Sequence, residues 1–230
     1  MDKFDQVLKE YTRARLSEEA VNVEKIHFYK TDRRSDPKKT DPFWFASGEI
    51  PILVSAPHAV RHLRQKKIKV SDQFTGSVVY LLNRLTSCYA LATAKLYGGD
   101  PNVDDPCIYK ERIADLCRRE KIKMILDIHG AAREQAFDID LGTNQGKNLL
   151  GKTKITDVLE KNFRHVGLHA ISYNYFAASG THTVSNYAAR ELGIPAVQIE
   201  INKQYRVPNQ NAQAFHRLIC ALAESIKALV

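Results

Sequence analysis

Three apolar runs dominate the pattern of the chain: IPILVSAPH at 50–58, MILDIHG at 124–130 and IPAVQIEIN at 194–202. Continuous runs of this length predict strands buried on both faces. CYALATA at 88–94 reads as a fourth strand. Between the runs the spacing turns helical. Val78, Val79, Leu82 and Leu85 share one side of 75–85, and Ile108, Ile113, Leu116 and Cys117 share one side of 106–120. LGKTKITDVLEKNF and SNYAAREL also read as helices, the second stopped by Gly193 as a cap. A last helix carries the stripe Phe215, Leu218, Leu222, Ile226, Leu229, spaced for packing on a sheet. Alternating strands and helices predict an α/β fold, a mixed, mostly parallel sheet with helices on both faces.

The beginning of the chain is less regular. MDKFDQVLKEYTRARL is amphipathic and predicts a helix, and KIHFYK (25–30) and FWFASG (43–48) read as short β-like runs. Between them TDRRSDPKKTDP (31–42) is a charged, turn-rich stretch, expected as a long hairpin loop or a disordered excursion. Residues 1–48 are thus expected to be a helix-and-hairpin elaboration of a single catalytic domain spanning 1–230, since 230 residues suit one α/β core.

Composition narrows the chemistry. No window holds the eighteen apolar residues of a membrane helix, and the first residues lack the pattern of a secretory signal, so a cytoplasmic protein that does not engage membranes is expected. The four cysteines are scattered with no C-x-x-C pair, so any metal must be held by histidines and carboxylates. The net charge of +8 permits nucleic-acid contact without requiring it, and the basic clusters read chiefly as solvated loops and helix ends. One cluster differs: Arg61, Arg64, Lys66, Lys67 and Lys69 directly follow a candidate ligand, where they would draw in an anionic substrate.

That ligand is His58. His58 and His129 each end an apolar strand and each precede a small residue, Ala59 or Gly130. In such sheets ligands bind beyond the carboxyl ends of strands, and Glu200 lies near the end of a third. A catalytic zinc takes about three N or O ligands and leaves a position open. Asp72 is either the carboxylate ligand or the N-cap of the helix that follows it. Asp127 lies two residues before His129 and so on the same side of its strand, where it would orient the imidazole or form a salt bridge. Glu200 sits in an apolar strand, costly to bury without a partner, and is the acid–base candidate. Arg133, Arg206, Arg61, Asn102 and His182 are candidate substrate contacts. Phosphate loops, G-x-S-x-G and H-E-x-x-H are absent.

Taken in order, VSAPH, SDQFTG, GDPN, ILDIHG with FDIDLGT, and AVQIEIN followed by Arg206 resemble the N-formylglutamate amidohydrolase family across about residues 50–206. That family is similar in architecture to zinc carboxypeptidases and to succinylglutamate desuccinylase. The resemblance implies a zinc carboxypeptidase-like three-layer α/β/α sandwich. It further implies one Zn2+ per chain on His58, Asp72 and His129, with Glu200 as general base or acid and an arginine such as Arg133 at the oxyanion or a substrate carboxylate. The implied substrate is a small anionic N-acyl amino acid. Two positions depart from the family pattern. Arg61 stands three residues after His58, where carboxypeptidases place a glutamate ligand, so Asp72 carries the carboxylate assignment; Val103 replaces a substrate-gripping arginine. A peptidase or peptidoglycan amidase on the same scaffold, or a non-catalytic basic binding module, are the alternatives.

Overall fold

The structure is a computed structural model that describes residues 13–29, 36 and 39–230. Its strands are β1 (Phe43–Ala46), β2 (Ile50–Ala56), β3 (His62–Arg64), β4 (Lys67–Lys69), β5 (Cys88–Thr93), β6 (Met124–Ala131), β7 (Ile139–Gly142), β8 (Ile171–Tyr173) and β9 (Ala196–Asn202). The helices are α1 (Arg13–Val23), α2 (Thr75–Thr86), α3 (Ile108–Arg119), α4 (Lys154–His165), α5 (Val184–Leu192), the short α6 (Lys203–Arg206) and α7 (Ala212–Ala228).

Seven strands form one sheet in the order β1-β5-β2-β6-β9-β7-β8. The four runs that carry the apolar signal, β5, β2, β6 and β9, are its parallel centre. β1 and β7 attach antiparallel on either side, and β8 runs parallel to β7. The fold is therefore the α/β architecture with a mixed, mostly parallel sheet that the alternation implied. Each central strand is buried on both faces because each face has its own helices. On one, Val54, Leu126 and Val197 pack with α1, α2, α4 and α7; on the other, Leu53, Leu91 and Ile125 pack with Tyr109, Ile113 and Leu116 of α3 and Val184 and Ala188 of α5. Phe215, Leu218, Leu222 and Ile226 of α7 are fully buried, each contributing about 1.5–3 kcal/mol. Gly193 ends α5 in the left-handed region at φ 65°, its N–H bonded to the Ala188 carbonyl.

The beginning of the chain departs from expectation. KIHFYK is not a strand: Glu24–Phe28 form a π-helical turn that continues α1, with the Tyr29 N–H on the Glu24 carbonyl at 2.7 Å. Leu16, Ala20, Glu24 and Phe28 are buried at successive four-residue steps, so the segment packs as a helix face. β1 accordingly pairs with β5, not with residues 25–29. The amphipathic segment is described from Arg13 onward, and most of the 31–42 stretch lies outside the described residues. Among the described residues, no helix is long and apolar enough to cross a membrane.

Candidate metal centre and active site

The carboxyl ends of β2, β6 and β9 lie side by side, and register fixes what stands there. His129 on β6 is opposite Glu200 on β9, and Glu200 is opposite Asp140 on β7. His58 follows β2 directly. The next thirteen residues leave the sheet as an inset around the hairpin β3–β4 and return at Asp72, whose N–H bonds to the His58 carbonyl at 2.8 Å. Two residues fourteen positions apart are thereby neighbours.

Their side chains converge. Asp72 Oδ2 lies 3.7 Å from His58 Nδ1 and 3.5 Å from His129 Nδ1, and the two rings meet edge to face at 4.9 Å. The three donor atoms fall within the reach of a single divalent cation. The far side of each imidazole is also engaged: His58 Nε2 meets Asp100 Oδ1 at 2.9 Å and His129 Nε2 meets Asp127 Oδ2 at 3.0 Å. An ionised carboxylate only accepts, so a proton on each Nε2 leaves the Nδ1 lone pairs facing Asp72. Asp127 thus lies within hydrogen-bond reach of the His129 imidazole, where it would orient the ring. Asp72 is not a side-chain cap. Phe74, in the left-handed region at φ 68°, starts α2 without a side-chain cap bond, and Asp72 Oδ2 instead accepts the Gly130 N–H at 3.0 Å.

The electrostatics suit a cation. Burial pushes the His58 and His129 pKa values down, yet both stand above the ordinary histidine value because Asp100, Asp72 and Asp127 outweigh it. Burial likewise raises Asp72, but its contacts with His129 and His58 hold it well below the usual carboxylate range. The field that retains protons here would retain a metal, whose uptake would release them. Glu200 differs. It is buried with Gln198 Nε2 donating to its Oε1 at 3.1 Å. Burial pushes its pKa up to about 7; the His129 and His58 charges pull it down and those of Asp72 and Asp140 push it up.

The remaining candidates are distributed around this centre. Asn102 Nδ2 lies 3.4 Å from His129 Nε2, and its Oδ1 accepts the Val184 N–H that opens α5. His182 lies just before α5 with Nδ1 3.6 Å from Asp105, and its carbonyl accepts from the buried Lys110. Arg61 is exposed within the inset. Arg133 is exposed beyond β6, where Nη2 bonds to Gln210 Oε1 at 2.5 Å. Arg206 is buried and faces inward: Nη1 donates to the Gln73 carbonyl at 2.6 Å, and Nε and Nη2 donate to Ile201 and Ala131. Its guanidinium lies so close over Gly130 that a Cβ there would come within 2.6 Å of it. Glycine is required by contact.

Several residues of the site carried no recognised signal. Asp100 was visible only as part of GDPN, and its partner is 42 positions away. His62 stacks on His58 at 4.1 Å, and burial followed by the His58 charge lowers its pKa to about 4. His58, His62 and Asp100 form a second group within metal-binding reach, but Arg64 Nε already sits 2.5 Å from Asp100 Oδ2, a cation where a second cation would go. Asp140 accepts Ser172 Oγ and the Tyr175 and Phe176 N–H groups, anchoring an aromatic loop. Gln198 joins that loop to the site, since its Nε2 reaches both the Phe176 carbonyl and Glu200.

No protein-family model and no curated protein sequence matches the chain. Solved structures do match, and they give the architecture a class: the fold is that of the zinc carboxypeptidase-like α/β proteins. It is similar to N-formylglutamate amidohydrolase from Ralstonia eutropha JMP134, at 14% identity and a TM-score of 0.60 over 82% of this chain and 97% of that one. A gene product of Agrobacterium tumefaciens matches at 12% identity and TM-score 0.56, covering 86% of this chain and 99% of that one. A protein assigned as a carboxypeptidase from Burkholderia mallei ATCC 23344 matches at 11% and 0.52, covering 95% and 68%. At such identities the likeness establishes the fold.

Proposed function

We propose that the chain is a zinc-dependent amide hydrolase acting on small anionic N-acyl amino acids. The observation that carries this reading is the convergence of His58 Nδ1, His129 Nδ1 and Asp72 Oδ2, with Asp100 and Asp127 behind the two imidazoles. Two imidazoles and one carboxylate are the donor set of an open catalytic zinc site. Zinc held there would polarise a substrate carbonyl and make water acidic enough to ionise near neutral pH. Glu200 takes the proton of the attacking water at its carboxylate and returns it to the departing amine nitrogen. Its burial keeps the pKa close to the pH at which both transfers must occur.

The other residues take parts that follow from their exposure. Arg206 cannot leave its three carbonyls without opening the site's frame, so it holds the floor and contributes charge. Arg61 and Arg133, both exposed, are the guanidinium groups able to meet a substrate carboxylate or a developing oxyanion. Asn102 and His182 line the α5 side. Lys66, Lys67 and Lys69 are exposed on the inset between two proposed ligands, which favours an acidic substrate.

The zinc-loaded protein is expected to release amine from N-acyl glutamates, N-formylglutamate among them, faster than from N-acyl alanines or neutral peptides. Protein stripped by a chelator is expected to release none. Failure of the zinc-loaded protein to cleave any N-acyl amino acid would refute the reading, and preference for peptides would move it to a peptidase. The same assay gives a pH dependence. Glu200 must be ionised to accept a proton, so kcat/KM falls as pH falls through the pKa of the free enzyme's base. That acidic limb lies at or below about 7, because a cation beside the carboxylate favours its charged form.

A further inference from the structure

Asp72 is the one proposed ligand that does not stand on a sheet strand or its immediate end, so its position depends on what holds residues 72–74. Four hydrogen bonds from neighbouring residues act on Asp72: its N–H on the His58 carbonyl, its carbonyl under both the Thr75 N–H and Thr75 Oγ1, and its Oδ2 under the Gly130 N–H. The next two residues are held by charged side chains from distant parts of the chain. Arg206 fastens the Gln73 carbonyl, as described. The Phe74 N–H donates to Glu24 Oε1 at 3.0 Å, and Ser77 Oγ donates to Glu24 Oε2 at 2.7 Å. Glu24 is itself only 7% exposed.

These bonds compensate for a specific defect. A helix start leaves N–H groups unsatisfied, and α2 begins at a left-handed Phe74 with no side-chain cap of its own. Its would-be cap, the Asp72 carboxylate, is turned toward the imidazoles. The Glu24 carboxylate reaches the same helix end from fifty residues earlier in the chain. The π-helical turn begins at Glu24. It presents Glu24 and Phe28 on one face, and the Phe28 ring lies so close over Gly76, in the first turn of α2, that a Cβ there would come within 2.7 Å of it.

We infer that Glu24 is a positioning residue for the metal centre: by capping α2 in place of Asp72, it frees the Asp72 carboxylate to face His58 and His129. The N-terminal helix is thereby a working part of the site. This inference rests on the metal-centre reading above.

The test is zinc affinity, measured by competition with a chromogenic chelator, alongside thermal unfolding of the metal-free protein. Glu24→Ala removes both acceptor atoms and leaves the Phe74 N–H and Ser77 Oγ without the Glu24 carboxylate. Zinc binding is expected to weaken about 10–100-fold, the range that follows loss of an outer-shell partner. Glu24→Gln retains an acceptor for Phe74 and is expected to stay within about threefold of wild type on the same scale. Leu159→Ala, in the core and away from the site, is the control: it lowers the melting temperature and leaves zinc affinity unchanged. If Glu24→Ala does not fold, Glu24→Asp decides, its shorter carboxylate being unable to reach both donors; it is expected to fall between the other two. Wild-type zinc affinity in Glu24→Ala or Glu24→Asp overturns the inference, as does an equal loss of affinity in Leu159→Ala. Wild-type protein that binds no zinc overturns the metal centre itself, a distinct outcome.

Discussion

Glu200→Gln is expected to lower kcat by roughly 10²–10⁴-fold, the scale of one lost general base, with zinc content unchanged. The amide matches the carboxylate in shape and retains an oxygen for the Gln198 donor, but it cannot take up a proton at neutral pH. Stability is expected to stay level or rise. Glu200 is buried and burial pushes its pKa up to about 7, so its charged form is disfavoured in the fold and a neutral group removes that penalty. The sign follows from linkage: a carboxyl with a raised folded-state pKa destabilises the fold at pH values above its unfolded pKa, where the unfolded chain holds it ionised. Loss of turnover without loss of melting temperature or metal would therefore locate the defect in proton transfer. Turnover at the wild-type rate would remove Glu200 from the chemistry.

The second large effect is expected at Asp72→Asn. The substitution keeps an oxygen for the Gly130 N–H and the backbone bond to His58, and removes only the charge between the two imidazoles. Zinc affinity is expected to fall beyond the roughly 10–100-fold typical of an outer-shell change, so that dialysed protein carries none by elemental analysis while wild type carries about one per chain. If Asp72 were only a helix cap, the outcome would be reversed: near-normal zinc and almost unchanged stability, because asparagine caps a helix about as well as aspartate.

The sequence displays one part of this arrangement and hides another. The strands that bear function are legible because the centre of a parallel sheet is buried on both faces and writes itself as an apolar run. Their ends expose His58, His129 and Glu200 to inspection. Asp72 was ambiguous for a local reason: an aspartate before a helix satisfies the capping pattern whether or not its side chain turns inward, and the left-handed Phe74 that decides the matter has no sequence signature. Asp100, His62 and Arg64 act through partners set by the return path of the chain. β7 and β8, at four and three residues, are too short for periodicity to register. KIHFYK misled because an acidic residue occupies a core position. Counting Glu24 as polar hides the four-residue stripe from Leu16 to Phe28, and what remains alternates like a strand. Rules that score side chains by type fail where a buried charge is used as a structural bond.

The inset between His58 and Asp72 begins and ends at residues already joined by a backbone hydrogen bond. Closing a loop across such a pinned neck costs little more when the loop grows, about 0.6 kcal/mol per doubling of its length. Residues 65–70 can therefore be shortened, lengthened or exchanged between proteins while the ends keep their spacing. Under the proposed function, an inset joined at such a neck would let substrate selection change while the two ligands at its ends stay in place.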